Sequence, residues 1–173
     1  MSAATRRFIY IRSIHSFFFT LSLIAAALVC SPGTSAAEPF KSRVTANWYN
    51  ILLALPPALG GAGQASFVGT SQTTHLGKAA QRGTLTLQAP TAPYVFPGSG
   101  SVTITAANGD ELTFNYTGHL HQDTGEGIGT FVFTGGTGRF AHATGSGTFY
   151  AQINLLQAAP QAMTVVLDGQ ISY

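Results

Sequence analysis

GIGTFVFTGGTGRFAHATGSG, residues 127–147, is the stretch whose reading decides the fold. Its first part is rich in aromatic and β-branched residues, which favour a pleated strand. Strand periodicity puts Phe131 and Phe133 on one face and Thr130, Val132 and Thr134 on the other. Gly135-Gly136-Thr137-Gly138 then breaks the pattern, because glycine takes positive φ without a Cβ clash. The run from Arg139 to Gly145 is too short for an independent helix. It fits one helical turn or an extended corner, with Phe140 and Ala143 turned into the core at i, i+3 spacing. Gly145-Ser146-Gly147 leads into another alternating run. The four glycine-turn residues and Arg139 also admit an anion nest of converging backbone N–H groups. Against that reading, no long helix follows and no Lys stands at phosphate-loop spacing. Gly125, Gly127 and Gly129 precede a strand, whereas a dinucleotide fingerprint follows one.

Outward from this stretch the chain reads as β from Gln64 to the C-terminus. Strands are predicted at residues 65–70, 73–78, 83–88, 101–106, 111–118, 128–134, 148–155 and 162–172. Leu85 and Leu87, Val102 and Ile104, and Leu112, Phe114 and Tyr116 each alternate with polar residues, mostly threonine. That period of two gives an apolar inner face and a threonine-rich outer face. Asn108-Gly109 between two such runs is a hairpin signal. Successive antiparallel strands with short turns predict an all-β, single antiparallel eight-stranded barrel, with a flattened β-sandwich as the alternative. Such a barrel is either filled by side chains or holds one small ligand.

The segment FTGGTGRFAHATGSG resembles a glycine-rich signature of the dirigent and allene oxide cyclase barrels. It is closer still to a group of small, secreted bacterial proteins that carry two further motifs. Both are present here in the same order, Thr74-His75-Leu76-Gly77-Lys78 and Ala106-Ala107-Asn108-Gly109-Asp110. The resemblance covers the chain from about Ser66 onward and implies the barrel. It implies no activity, because the acid and base residues of those enzymes lie outside the shared motif.

The N-terminal third differs in kind. Residues 1–37 read as a secretory signal peptide: Arg6, Arg7 and Arg12 precede the apolar run 17–29, and Ser35 and Ala37 suit cleavage before Glu38. A lipoprotein anchor on Cys30 is the competing reading, with bulky Val29 a poor fit before the cysteine. The expected location is secreted or periplasmic, with no stable membrane insertion after cleavage. Residues 38–63 are expected to be a leader and an apolar flap, and 64–173 the barrel domain. In residues 44–59, Trp48, Ile51, Leu52 and Leu55 recur at helical spacing before Pro56-Pro57, although a strand is equally compatible.

Cleavage leaves 136 residues, enough for one domain. Five basic side chains then face six acidic ones, so the full chain's surplus of +2 becomes −1 with His neutral. Nothing remains of an electrostatic case for nucleic acid or an anionic membrane. The single cysteine, Cys30, lies in the leader, so the mature chain has no disulfide and no thiolate nucleophile or ligand.

Few residues remain that can carry chemistry. His119 and His121 lie on one side of a strand end, and with Asp123 they are the candidate metal ligands. Alternatively they are a polar strand end. His75 is a candidate general base at the barrel rim, or a rim residue fixed by a backbone carbonyl. His75, His119 and His121 are thus the candidate catalytic residues. There is no G-x-S-x-G elbow, and nothing brings Asp123 and Glu126 into acid–base pairing. Asn115-Tyr116-Thr117 matches a glycosylation sequon, an incidental match in a bacterial host. No cofactor is expected.

Three functions follow. The first is a non-catalytic exported barrel that binds a small apolar ligand against Phe114, Tyr116, Phe131 and Phe133. The second is a cyclase- or isomerase-like enzyme steering an apolar intermediate. The third is an oligomerising cell-surface or matrix protein, a homo-oligomer assembled through the threonine face and the segment from Trp48 to Leu55.

Overall fold

The computed structural model describes residues 36–52, 63–158 and 160–173. Eight antiparallel strands form a closed barrel in sequence order: β1 (Glu38–Leu52), β2 (Gly63–Thr73), β3 (Gly77–Leu87), β4 (Val95–Thr105), β5 (Glu111–His121), β6 (Glu126–Gly136), β7 (Thr144–Ile153) and β8 (Gln161–Ser172). β1 pairs with β2 on one side and β8 on the other, which closes the sheet and excludes the sandwich. Closure leaves no unpaired strand edge. Among the described residues no helix is long and apolar enough to cross a membrane.

Two expectations need correction, and they offset each other. Glu38–Leu52 is a full barrel strand, not a leader and flap. Phe40, Ser42, Val44, Ala46 and Trp48 face inward and are buried, while Lys41, Arg43, Thr45, Asn47 and Tyr49 face outward. The helical spacing from Trp48 therefore does not operate, and the barrel begins at Glu38 rather than residue 64. Leu55, with the rest of the expected flap, lies outside the described residues. Conversely, residues 73–78 are not one strand: Thr73 ends β2, residues 74–76 are the turn, and Gly77 opens β3. His75 takes φ of 68° in that turn, which breaks a continuous strand, and Gly77 takes 66° where β3 begins. Eight strands were expected and eight are found, with β1 in place of the misread turn.

Ser42 is polar yet buried on β1 because its hydroxyl meets Thr73 Oγ1 at 2.7 Å, and Thr73 donates onward to Ser71 Oγ at 3.1 Å. Those bonds offset the cost of burying hydroxyls in the core. The Asn108-Gly109 hairpin forms as read, with Gly109 at φ of 89° and its N–H donating to Ala106 O. The organising glycine stretch also forms as read. Gly138–Phe140 is a single 3-10 turn, and Phe140 and Ala143 are buried.

The two ends of the barrel are filled differently. One end carries the β2–β3, β4–β5 and β6–β7 connections and the chain's C-terminus. It is packed by Phe40, Phe114, Phe131 and Phe133, with ring centroids 4.9 Å apart for Phe40–Phe133 and 5.2 Å for Phe114–Phe131. Phe140, Ile104, Leu112 and Ile171 complete it, each with no exposed surface. The other end carries the β3–β4, β5–β6 and β7–β8 connections, and there several inward positions become small among larger ones such as Trp48, Phe96 and Leu120. Gly118, Gly127 and Ala151 face inward in place of large side chains. This end opens into the lumen.

Candidate functional site

The lumen at the open end is a cavity of about 80 Å³. Its wall is largely hydrocarbon and aromatic, with Phe67, Leu85, Leu87, Val102, Phe114, Phe149, Ile153, Met163 and Leu167 among its lining residues. Strand alternation produces this wall, since each of these residues occupies an inward position of its strand. Glycines let rings lie flat against the barrel. A Cβ on Gly83 would overlap the ring of Phe67, so only glycine on β3 seats that ring.

Polar atoms in the wall are few. Tyr116 crosses the inner surface and donates its phenol proton to Thr84 O at 2.8 Å. Burial pushes its pKa well above the usual tyrosine range, so it remains a neutral donor. Trp48 and Gln81 also line the cavity, 1% and 5% exposed. No Asp, Glu, Lys or Arg lines it among the described residues.

Of the four expected ligand-binding residues, Phe114 and Tyr116 line the cavity. Phe131 and Phe133 do not. They share the inward face but lie toward the packed end, 1% and 4% exposed, among other rings. Alternation gave their face correctly and left their depth along the barrel undetermined. Trp48 was expected in the flap and Gln81 had no expected role, although the inward set Leu87, Leu85, Gly83 runs back in steps of two to Gln81.

The histidines are not brought together. His119 and His121 occupy outward positions of β5; His119 borders the cavity mouth between Pro97 and Ile128, and His121 lies between Val95 and Glu126. Asp123 is exposed in the β5–β6 turn. Among the described residues no three His, Cys, Asp or Glu side chains are placed to hold a metal. His75 is at the packed end, away from the cavity. Its Nε2 meets Pro39 O at 3.0 Å, and its Nδ1 lies 3.2 Å from Tyr173 Oη and 3.5 Å from Glu38. Arg139 donates to its carbonyl. These contacts tie both chain ends of the barrel to the β2–β3 turn.

Beside the glycine turn lies a carboxylate of the chain itself, Asp110. A Cβ on Gly138 would overlap the Asp110 carboxylate, which Asn108 Nδ2 contacts at 3.0 Å and Arg139 Nε at 3.7 Å. Gly138 has φ of 55°, so the position favours glycine twice over.

No protein-family model matches the chain, and no curated protein matches it. Among solved structures it is similar to a pterocarpan synthase dirigent protein, at a TM-score of 0.48 and 11% identity over 79% of this chain and 86% of that one. The closed barrel itself stands on the strand ladder of this chain.

Proposed function

We propose that this is an exported barrel protein whose lumen binds one small, uncharged, largely apolar molecule without transforming it. The observation that carries the reading is the cavity at the open end, walled mostly by hydrocarbon and with no Asp, Glu, Lys or Arg lining it among the described residues. Apolar pockets with a few placed polar groups are the usual form of a small-molecule site. Export is supported by the pattern of residues 1–37, and β1 begins at Glu38, the first residue after the expected cleavage point. Catalysis lacks support from the histidines, which face outward or lie at the other end.

A second reading is association of copies through the outer wall. Trp48 is buried inside the barrel, so the version built on that residue does not apply. Another outer row does: Ile128, Tyr150 and Val166 pair across β6, β7 and β8 and are 45–46% exposed.

Native mass spectrometry of protein purified from its host's extracytoplasmic fraction tests both. The first reading expects a chain starting at Glu38 with a small non-covalent adduct. A bare monomer contradicts tight binding, and a bare oligomer favours the outer wall.

A further inference from the structure

Two polar atoms in the wall of the lumen have no hydrogen-bond partner among the described residues: Nε1 of Trp48 and Oε1 of Gln81. Both side chains are more than nine-tenths buried, and both line the cavity. The strand ladder sets them near each other. Ala46, one inward step from Trp48 on β1, pairs with Gly69 on β2, and Gly69 pairs with Gln81 on β3. Gly69 brings no side chain into the gap. Neighbouring strands lie roughly 4.8 Å apart, so the two side chains rise into the same cavity from strands about 10 Å apart.

Buried polar atoms without partners are rare in native proteins, because each forfeits its bonds to water. The hydrocarbon around these two cannot replace those bonds. An indole N–H can only donate, while the amide of Gln81 presents an acceptor. We infer that the lumen is built for an uncharged alcohol with a compact hydrocarbon body. Its hydroxyl oxygen accepts from Trp48 Nε1–H, and its hydroxyl proton is donated to Gln81 Oε1. This rests on the proposed binding in the lumen and names the class of molecule bound there. A hydroxyl is the smallest group that both accepts and donates. A carboxylate or ammonium would enter a wall with no opposite charge, at a large desolvation cost. One buried water needs roughly 10–15 Å³ of such space, so the cavity takes a body on the order of six heavy atoms. An ordered water bridging the two atoms would be displaced without loss, because the alcohol reproduces its bonds.

Three probes of one size test this: cyclopentanol, cyclopentanone and methylcyclopentane. Their affinities are measured by calorimetry on the mature protein and on folded Gln81→Leu and Trp48→Phe variants. Gln81→Met, which keeps the length and removes the amide, replaces Gln81→Leu where the latter does not fold. Trp48 is the single tryptophan, so its indole N–H gives one unambiguous NMR signal. We expect cyclopentanol to shift that signal. The ratio of cyclopentanol to methylcyclopentane affinity should fall about tenfold or more in either variant, the worth of one hydrogen bond. The ratio for cyclopentanone should fall in Trp48→Phe and hold in Gln81→Leu, because a ketone only accepts. An alcohol-to-hydrocarbon ratio unchanged by removing the Gln81 amide overturns the inference and leaves lumen binding standing. If no probe binds and the indole signal stays fixed, lumen binding falls with it.

Discussion

The same eight strands build two unlike interiors. At the packed end the inward positions are Phe40, Leu112, Phe131 and Phe133, all nearly or fully buried. At the open end the same strands turn inward with Trp48, Gly118, Gly127 and Ala151, and a cavity results. β6 shows the change within a single strand, from Gly127 and Gly129 to Phe131 and Phe133. Side-chain volume, and not strand geometry, therefore decides where the barrel is solid. The packed end supplies cohesion that lets the open end leave atoms unpaired, a division expected where function is added to a stable scaffold.

The largest test of this contrast is a pair of truncations. Phe131→Ala should cost about 3–5 kcal/mol, because it removes a ring from a close-packed cluster. Phe149→Ala, at the cavity wall where the ring is half-buried, should cost only about 1–2 kcal/mol. Denaturant unfolding of both reads the difference; equal losses would erase the contrast between the ends.

Next in size is a gain. Gln81→Leu should raise unfolding stability by about 1–3 kcal/mol, because it removes a buried acceptor without a partner. A loss would show that the amide is held by the fold and not reserved for a ligand.

Tyr116 gives a smaller, pH-dependent effect. Its pKa in the folded protein is raised above the usual 10.0 by burial. Its contribution is therefore complete below pH 10. Above that the unfolded chain loses the phenol proton while the folded chain keeps it, so stability falls as pH rises. Wild type should lose about 1.4 kcal/mol per pH unit more than Tyr116→Phe above that point. Parallel pH profiles for the two proteins would place Tyr116 in water.

The outer wall should matter least. Lys41 Nζ and Asp168 Oδ2 pair at 3.1 Å, with both side chains about two-thirds exposed. Asp168→Asn should cost below about 1 kcal/mol, less again in high salt.

Much of this was legible in the sequence. Alternation alone set the inner faces of β3 to β6, and Asn108-Gly109 set a hairpin. β1 escaped because its inward set, Phe40, Ser42, Val44, Ala46 and Trp48, contains a serine and a small alanine, which blur the apolar period. Ser42 belongs there only because Thr73 bonds it, a partner 31 residues away. Thr73–Lys78 was misread in the opposite sense: its residues favour strands, but His75 at φ of 68° turns the chain. The site was half visible. Phe114 and Tyr116 followed from parity, whereas the placement of Phe131 in the packed end and Gln81 in the cavity wall depends on the register between strands, which no single strand encodes.

The central claim is that the lumen is open at one end and solid at the other. The direct test is a crystal of the ligand-free protein pressurised with xenon, which enters apolar cavities and finds no room in packed cores. The account predicts xenon against Phe149, Met163 and Leu167, and none among Phe40, Phe131 and Phe133. Xenon among those three phenylalanines, or none in the lumen, would contradict it.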